Sequence, residues 1–487
     1  MGAAALWDIL RKKLIKQPKA DAKQTEETMP IHNNKAKIEM GLAIVVALLT
    51  ILVPIQMASQ TWDDHDRSGR YTCRDFGQNY LMCLQQEGNP IIFTNGDNDT
   101  FPLWYNQDVE GVRTDARVCN LSYLNTDWYI DQMRRPAYDS PALPIDWPRL
   151  DYVTGSNDAI SVVPSYKKEV LDYCRTNPEE ARKMFGDEKN PFELKNVMKY
   201  WVLNSDHDMR VIPTDTLYVT IDKEAVKKSG MMMASDTIPD RMVISLAGKS
   251  VLYKSDLMML ELIANSNWVR PIYVAITVGE SNFMNLGDNF IQEGLVNRIS
   301  PFTTKAEGVR NFDTEKTYNN VMNRFKWGGL KKKGLYLDET VTRMCWTHRH
   351  LMTMLASELI LEGKEDKALK VLQKAETEIP EYNVPLSLKG GGFQMAHCYI
   401  ALGKDKRAFQ ILDGLWKECS QYLRYYLSLN SNRFMLAQSD CLMYMSYMNN
   451  ILKLADEANP KWVESHEREL EGLATIYQSR GGSFGED

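Results

Sequence analysis

The clearest pattern lies near the start. From Met40 to Trp62 the chain runs twenty-three residues without a charged side chain, and its centre, Gly41 to Pro54, is apolar on nearly every face. As an α-helix it would measure about 35 Å, enough to cross a bilayer core. A run this long with no polar face favours a membrane helix over a buried core helix. Trp62 stands at the far edge, where an interfacial aromatic belongs, and Pro54 lies in the last third, where it can kink the exit. Arg11, Lys12, Lys13, Lys16, Lys19, Lys23, Lys35 and Lys37 precede the run, and Asp63, Asp64 and Asp66 follow it with Arg67 and Arg70. The positive-inside rule then predicts a basic cytoplasmic segment over 1–38, a transmembrane helix over 39–62, and everything later outside the cytoplasm. A cleaved signal peptide fits poorly, because the run begins too late and is too long. Residues 17–38, with Pro18 and Pro30, read as a loop, and Met1 to Trp7 as a small amphipathic start or the stub of an earlier span.

Further along, short apolar runs alternate with helical ones. Ile91 to Thr94 reads as a buried strand, Phe101 to Val109 as a helix with Asp99 or Thr100 as its cap, and Arg117 to Tyr123 as a second strand. A helix follows from Trp128 to Arg135. This is the spacing of a βαβ unit. The pattern returns with a helix over Ser255 to Ala264 and a strand over Arg270 to Thr277. Between them, 137–152 is proline-rich and irregular, a helix starts at Asn177-Pro178 and runs past a break at Asn190-Pro191, and Thr216 to Ile221 reads as an edge strand. The predicted fold is an α/β domain on a parallel sheet over 63–335, followed by an all-α region over 336–487.

That last region carries a repeat. Ala356, Leu359, Gly363, Ala368, Leu372, Ala375 and Pro380 keep the spacing of a tetratricopeptide (TPR) repeat, and Ala396, Tyr399, Gly403, Ala408, Leu412 and Leu415 make a second copy. The two glycines are 40 residues apart, against a period of about 34, so a short insertion containing Gly390, Gly391 and Gly392 separates the copies. A third, weaker helical pair falls in 432–478. Such repeats either present a curved binding surface or brace the domain beside them.

Composition narrows the function classes. The 487 residues carry a net charge of −6, so a broad nucleic-acid-binding face is not expected. Eight cysteines are too few for a disulfide scaffold, though an extracytoplasmic location would permit a bond between Cys73 and Cys83. His348 and His350 would point to different faces of a helix, so no metal site is expected there. Met231, Met232 and Met233 read as core filler.

The candidate chemistry lies beyond the carboxyl ends of the predicted strands, where open α/β sheets bind ligands. Asn95, Asp97, Asn98, Asp99 and Thr100 follow the first strand, Asn125 and Asp127 the second, and Glu280, Ser281 and Asn282 the last. Such carboxylates and amides suit sugar hydroxyls or, as a cofactor, a divalent cation. The competing reading is that they cap helices and turns. A second acidic cluster, Asp63, Asp64, His65 and Asp66, either holds a cation near the membrane or is a solvated juxtamembrane segment. General acid/base work by Asp97, Asp99 and Asp127 would need two carboxyls about 5 to 9.5 Å apart.

Thr61 to Tyr71, Phe93 to Tyr105 and Leu121 to Tyr129 resemble the C-terminal half of a bacterial membrane-protein family of unknown function, grouped with the GT-C-type transmembrane protein O-mannosyltransferases. The resemblance covers about residues 40 to 480. It implies an anchor in the inner (cytoplasmic) membrane and a periplasmic bulk. In that family a multi-span part carries the glycosyl transfer, on a loop that this one-span chain lacks, so no catalytic residue is carried over. The expectation is a periplasmic module of a glycosyltransferase system. It would bind an acceptor protein or glycan beside the bilayer and a separate multi-span transferase subunit. The rival is a non-enzymatic TPR-type scaffold of the cell envelope.

Overall fold

The computed structural model describes residues 2–14, 29–231, 238–303 and 311–484. The chain divides into two compact units, Met1–Gly69 and Arg70–Asp487.

In the first unit, helix α1 (Gly2–Leu14) packs on helix α2 (Met29–His65), with Arg11 Nε 3.6 Å from Glu39. Ala36–Trp62 is long and apolar enough to span a membrane. The stretch starts ahead of the charge-free run because the same helix takes in Lys37 and Glu39. Ile44, Leu48, Leu52, Val53 and Ile55 are exposed around its circumference, as a lipid-facing helix requires. The loop expected over 17–38 is helical from Met29 onward. Pro30 falls in the first turn, where a missing N–H leaves no bond unmade. Residues 15–28 lie outside the described ones.

In the second unit α3 (Thr72–Cys83) leads into strand β1 (Ile91–Thr94), α4 (Asp97–Asp108), β2 (Arg117–Asn120) and α5 (Asp127–Met133). A more irregular stretch follows: α6 (Arg149–Tyr152), β3 (Ala159–Val162), α7 (Tyr166–Thr176), α8 (Pro178–Phe185), α9 (Leu194–Val197), β4 (Val211–Ile212), β5 (Thr216–Thr220), α10 (Lys223–Lys228), β6 (Arg241–Ser245) and β7 (Val251–Tyr253). It forms two small sheets, β4-β3-β7 and β5-β6. The helix expected to run on from Asn177 ends at Phe185, because Gly186 turns the backbone left-handed at φ +83°. Helix α11 (Lys254–Ser266), β8 (Ile272–Ala275), β9 (Phe290–Gln292) and β10 (Val296–Ile299) complete the main sheet, ordered β2-β1-β8-β10-β9.

This sheet is mixed, not parallel as expected. β1 pairs in parallel with β2 and β8, Ile92 lying opposite Val118 and Tyr273. β10 is antiparallel to both β8 and β9. A parallel return needs a crossover of a dozen or more residues, whereas Glu293, Gly294 and Leu295 join β9 to β10 directly. Gly294 (φ +83°) makes that tight turn, and a Cβ there would meet Cys83 Sγ at 2.6 Å.

The remainder is helical: α12 (Thr314–Asn319), α13 (Glu339–Leu361), α14 (Glu365–Glu378), α15 (Gly392–Ala401), α16 (Asp405–Ser428), α17 (Ser431–Leu436), α18 (Gln438–Ala455) and α19 (Pro460–Ser479). α13 packs on α14, α15 on α16, and α13 on α15. Both hairpins turn alike. Gly363 and Gly403 adopt φ +71° and +65°, and the next N–H, from Lys364 or Lys404, bonds back to Leu359 or Tyr399 at 2.8 Å. That is the Schellman ending of a helix. The small and large pattern positions from Ala356 to Ala375 and from Ala396 to Leu415 are buried in the seams.

One polar joint ties the sheet region to the helices. Asn79 of α3 donates to the Lys326 carbonyl at 2.9 Å and accepts from its N–H at 2.8 Å. Its Nδ2 also reaches His348 Nε2 of α13 at 2.9 Å. His348 Nδ1 lies 2.9 Å from the Met344 carbonyl, which can only accept, so Nδ1 carries the proton and Nε2 accepts. Beside it, Asp75 accepts from the Gly328 N–H at 2.5 Å. Gly328 has φ +56°, and a Cβ there would fall 2.3 Å from Thr72 Cα, so only glycine fits.

Burial pushes the His348 pKa down to about 4. A depressed pKa gives stability that is fully present above about pH 6.5 and is lost as pH falls through about 4. In His348→Gln the acid limb of stability against pH will be shallower than in the native chain across that window. Asn79→Ala, which strands the buried His348 nitrogen and the half-buried Lys326 N–H and carbonyl, will lose about 2–4 kcal/mol by chemical denaturation.

Candidate functional site: an aromatic cleft at the sheet edge

The strand-end residues are placed as the topology requires but are not gathered into one site. The helix expected from Phe101 starts at Asp97, so Asp97, Asn98, Asp99 and Thr100 form its first turn, not a loop. Two carboxylates there suit the positive end of the helix. Neither Asp99 nor Thr100 caps it; the cap position is Gly96. Thr100 is buried and donates to the Gly96 carbonyl at 2.7 Å, while its hydroxyl also accepts from Asn120 at 2.8 Å. Asn95 accepts from Ser122 Oγ at 2.7 Å, tying the ends of β1 and β2 together. Asn125, likewise, accepts from the Ser255 N–H at the start of α11 at 3.1 Å. Asp127 opens α5 and lies 3.9 Å from Arg149. Asp97 and Asn98 face solvent. Glu280, Ser281 and Asn282 form a separate turn after β8, where Glu280 borders its own open depression of about 650 Å³ with Asn285, Asp288 and Asn297.

Asp99 is the exception. It is 8% exposed at the junction of β1 and β8, bonded to Thr277 and close to the Tyr80 phenol. Burial raises its pKa to about 6, against the opposing Thr277 bond.

The juxtamembrane cluster lies at the end of α2 and just beyond it. Asp63, Asp64 and His65 end α2, where Asp64 and His65 are exposed and the side chain of Asp63 lies outside the described ones. Asp66 accepts from the Ser68 N–H at 3.0 Å and from its hydroxyl at 2.7 Å. Among the described residues no group of three or more His, Cys, Asp or Glu side chains could hold a metal ion. His348 and His350 have separate partners, His350 Nε2 meeting the Lys389 carbonyl at 2.9 Å. All eight cysteines are free thiols, Cys73 exposed and Cys83 buried. Met231 is buried, while Met232 and Met233 lie outside the described residues.

A different feature stands out beside β2. Between α4 and α5, along the free edge of that strand, runs a cleft of about 450 Å³. Its walls are Trp104, Tyr123, Trp128, Tyr129 and Tyr138. Trp104 stacks on Tyr123 at 6.2 Å and 24°, Tyr123 meets Trp128 at 5.8 Å, and Tyr129 stands edge-on to both Tyr123 and Trp128. Trp128 is 54% exposed, leaving much of its ring open. Polar groups are few. Tyr138 donates to Asp108 at 2.6 Å across the mouth. Gln107 is spent on the Arg113 and Ala116 carbonyls, and Gln132 is exposed. The Tyr129 phenol covers the strand edge by accepting from the Asn120 N–H at 2.9 Å.

Sequence reading did not find this cleft, because aromatics outside a regular period carry no signal in hydropathy. One signal was present: a Trp-Tyr pair follows each of the first two strand-end loops, at Trp104-Tyr105 and Trp128-Tyr129. Adjacent parallel strands bring equivalent loops to one end of a sheet, and so bring the two tryptophans together.

The raised pKa of Asp99 gives a test of its role. Its stabilising contribution is complete below about pH 3.8 and lost as pH rises through about 6, so the ionised form strains the fold at neutral pH. Asp99→Asn will raise the unfolding free energy near pH 7.5, by up to about 3 kcal/mol, and flatten the stability profile between those values in thermal denaturation. A loss of stability at neutral pH would contradict this assignment.

No curated protein and no solved structure matches the chain. A family model described as TMEM260-associated domain 2 matches residues 73–319, from α3 through α12, just over half of the chain. The chain therefore belongs to the TMEM260-associated domain 2 family.

Proposed function

We propose that this protein is the membrane-anchored module of a protein O-mannosyltransferase-like glycosyltransferase system, and that its cleft beside β2 binds a glycan or a glycosylated acceptor chain. The observation that carries the reading is the open Trp128 ring flanked by Trp104 and Tyr123, with the Asp108 carboxylate and Gln132 amide at hand. The face of an aromatic ring carries negative potential and attracts the polarised C–H groups on one side of a sugar ring. Carboxylates and amides around it take the hydroxyls. A cleft of this size, mostly apolar with a few polar groups, is of the kind that holds a small ligand.

The resemblance to the GT-C group supplies the reaction context, and the positive-inside rule the orientation. The basic residues before Ala36–Trp62 would stay in the cytoplasm, with Arg70–Asp487 in the periplasm. The transfer chemistry would belong to a multi-span partner in the same inner membrane. The hairpins of α13 to α16 would serve as TPR-like repeats bracing the glycan-binding region against acceptor protein.

Calorimetric titration of the full chain in lipid nanodiscs with mannobiose, chitobiose and cellobiose tests the reading. At least one disaccharide will bind, and Trp128→Ala will weaken it about tenfold, equivalent to about 1.4 kcal/mol. If none binds the native chain, or if Trp128→Ala binds equally well, the cleft is not a sugar site.

A further inference from the structure

The helical region carries a second aromatic surface, remote in sequence from the cleft. Tyr422, Tyr425 and Tyr426 lie on α16, and Tyr444 and Tyr447 on α18. The spacings 422/426 and 444/447 are i, i+4 and i, i+3, so each set shares a helix face. α16 packs on α18, and the two faces merge. Tyr422 stacks on Tyr444 at 5.1 Å and 11°, Tyr426 meets Tyr444 at 6.1 Å, Tyr425 meets Tyr426 at 5.4 Å, and Tyr447 meets Tyr444 at 6.4 Å. Five rings thus form one continuous array.

Three of the five rings stand outside the core. Tyr422, Tyr425 and Tyr447 are 46%, 58% and 40% exposed, although buried leucines such as Leu423 and Leu427 lie beside them in sequence. No hydrogen bond within the described residues engages any of the five hydroxyls. Tyr426 and Tyr444 pack in part against the core, and Tyr422, Tyr425 and Tyr447 extend from them as a displayed edge.

Two carboxylates flank the rings. Asp440 lies one turn before Tyr444 on α18, and Glu418 one turn before Tyr422 on α16. Burial first, then Asp440, raises the Tyr426 pKa; burial, the neighbouring phenols and Glu418 raise that of Tyr444, to about 12. Glu418 also accepts the Leu388 N–H at 3.2 Å and feels Lys389, so Asp440 is the freer of the two acids. Ring faces and carboxylates both attract positive charge and both disfavour anions.

We infer that the tyrosine array of α16 and α18 is a docking surface for a protein segment bearing arginine or lysine side chains, held by cation–π contact with the rings and steered by Asp440 and Glu418. The occupant follows from charge complementarity. A neutral glycan would gain no charge attraction from the carboxylates, and an acidic segment would be repelled by them. This surface is independent of the sugar-binding reading of the cleft.

Fluorescence anisotropy on the full chain in detergent micelles tests the inference, using a fluorescein-labelled peptide of alternating arginine and glycine. The control replaces each arginine with citrulline, its neutral isostere. The arginine peptide will bind at least about tenfold more tightly than the citrulline peptide. The double variant Tyr422→Ser with Tyr444→Ser keeps the net charge and will lose at least about fivefold, whereas Tyr422→Phe with Tyr444→Phe keeps the ring faces and will bind like the native chain. Asp440→Asn will weaken binding and flatten its salt dependence. Trp128→Ala will leave peptide binding unchanged, which separates this surface from the cleft. Equal affinity for the two peptides, or no binding of either, overturns the inference. So does a loss in the phenylalanine variant as large as in the serine variant, because hydroxyl hydrogen bonds to a neutral ligand would then be the recognition.

Discussion

The amide of Asn79 is the constraint on which the second unit depends. One side chain bridges three segments far apart in sequence: its own helix α3, the backbone at Lys326, and His348 of α13. Every role in the bridge is determined. The Lys326 N–H must point at Oδ1, so Nδ2 must point at its carbonyl and at His348, and His348 must be neutral with its proton on Nδ1. A buried network with each member satisfied specifies one arrangement, because any displacement strands a polar group out of water. Here it sets α3 against α13 while the other face of α3 packs on α4. There Gly77 allows contact so close that a Cβ would fall 2.3 Å from the Pro102 carbonyl oxygen. The twelve residues of α3 therefore join the sheet edge to the helical hairpins, alongside α12, whose Lys316 meets Glu293 and whose Glu315 meets Lys364 and Lys367.

The cleft inherits its shape from a second set of buried polar groups. Arg117 of β2 and Arg270 just before β8 are both held mainly by backbone oxygens, with no carboxylate partner among the described residues. Arg117 donates to the carbonyls of Arg135, Ser140 and Pro141. Arg270 donates to those of Asn89 and Ala142 and to Ser140 Oγ. Burial pulls the Arg270 pKa down to about 10, a sign of how little negative charge surrounds it. What these two side chains secure is the proline-rich stretch after α5, a segment whose own backbone pairing includes a single bridge between Ala137 and Ser140. That stretch carries Tyr138, a bulky residue at φ +52° whose hydroxyl reaches Asp108. A strained tyrosine at the mouth of a cleft persists only where its surroundings over-determine it, and the two arginines do so.

How much of this was legible follows from what each feature depends on. The long apolar helix, β1, α4, β2 and α5 were readable because local apolar runs and helix-opening polar residues mark them in the sequence. The turns at Gly363 and Gly403 were readable because two glycines and the small residues around them recur at matching offsets. Reading failed where partner choice is non-local. Nothing in Phe290 to Ile299 announces that β10 inserts between β8 and β9, and a parallel sheet was the natural extrapolation from β1, β2 and β8. The acidic loops are placed by contacts that are equally non-local. Asn95, Thr100, Asn125 and Asp66 bond to the backbone or to neighbouring side chains, as small polar residues at element ends usually do. Only Asp99 keeps an unusual environment, and burial against β8, which cannot be read locally, produces it.

The two aromatic surfaces of Arg70–Asp487 differ in the one respect that decides what each can bind. Beside β2, the charged groups at the rings are a buried arginine on one wall and a carboxylate already engaged by a tyrosine, so little net field acts on a ligand and stacking on Trp128 dominates. On α16 and α18 the flanking carboxylates are both negative, no hydrogen bond among the described residues engages the hydroxyls, and the rings stack on one another along two packed helices. A neutral polyol fits the first environment, where enclosure and ring faces do most of the work. It would find little hold in the second, where only a cation long enough to reach across several rings gains from both the rings and the acids. The chemistry of the two surfaces thus separates a sugar from a basic side chain before any partner is named.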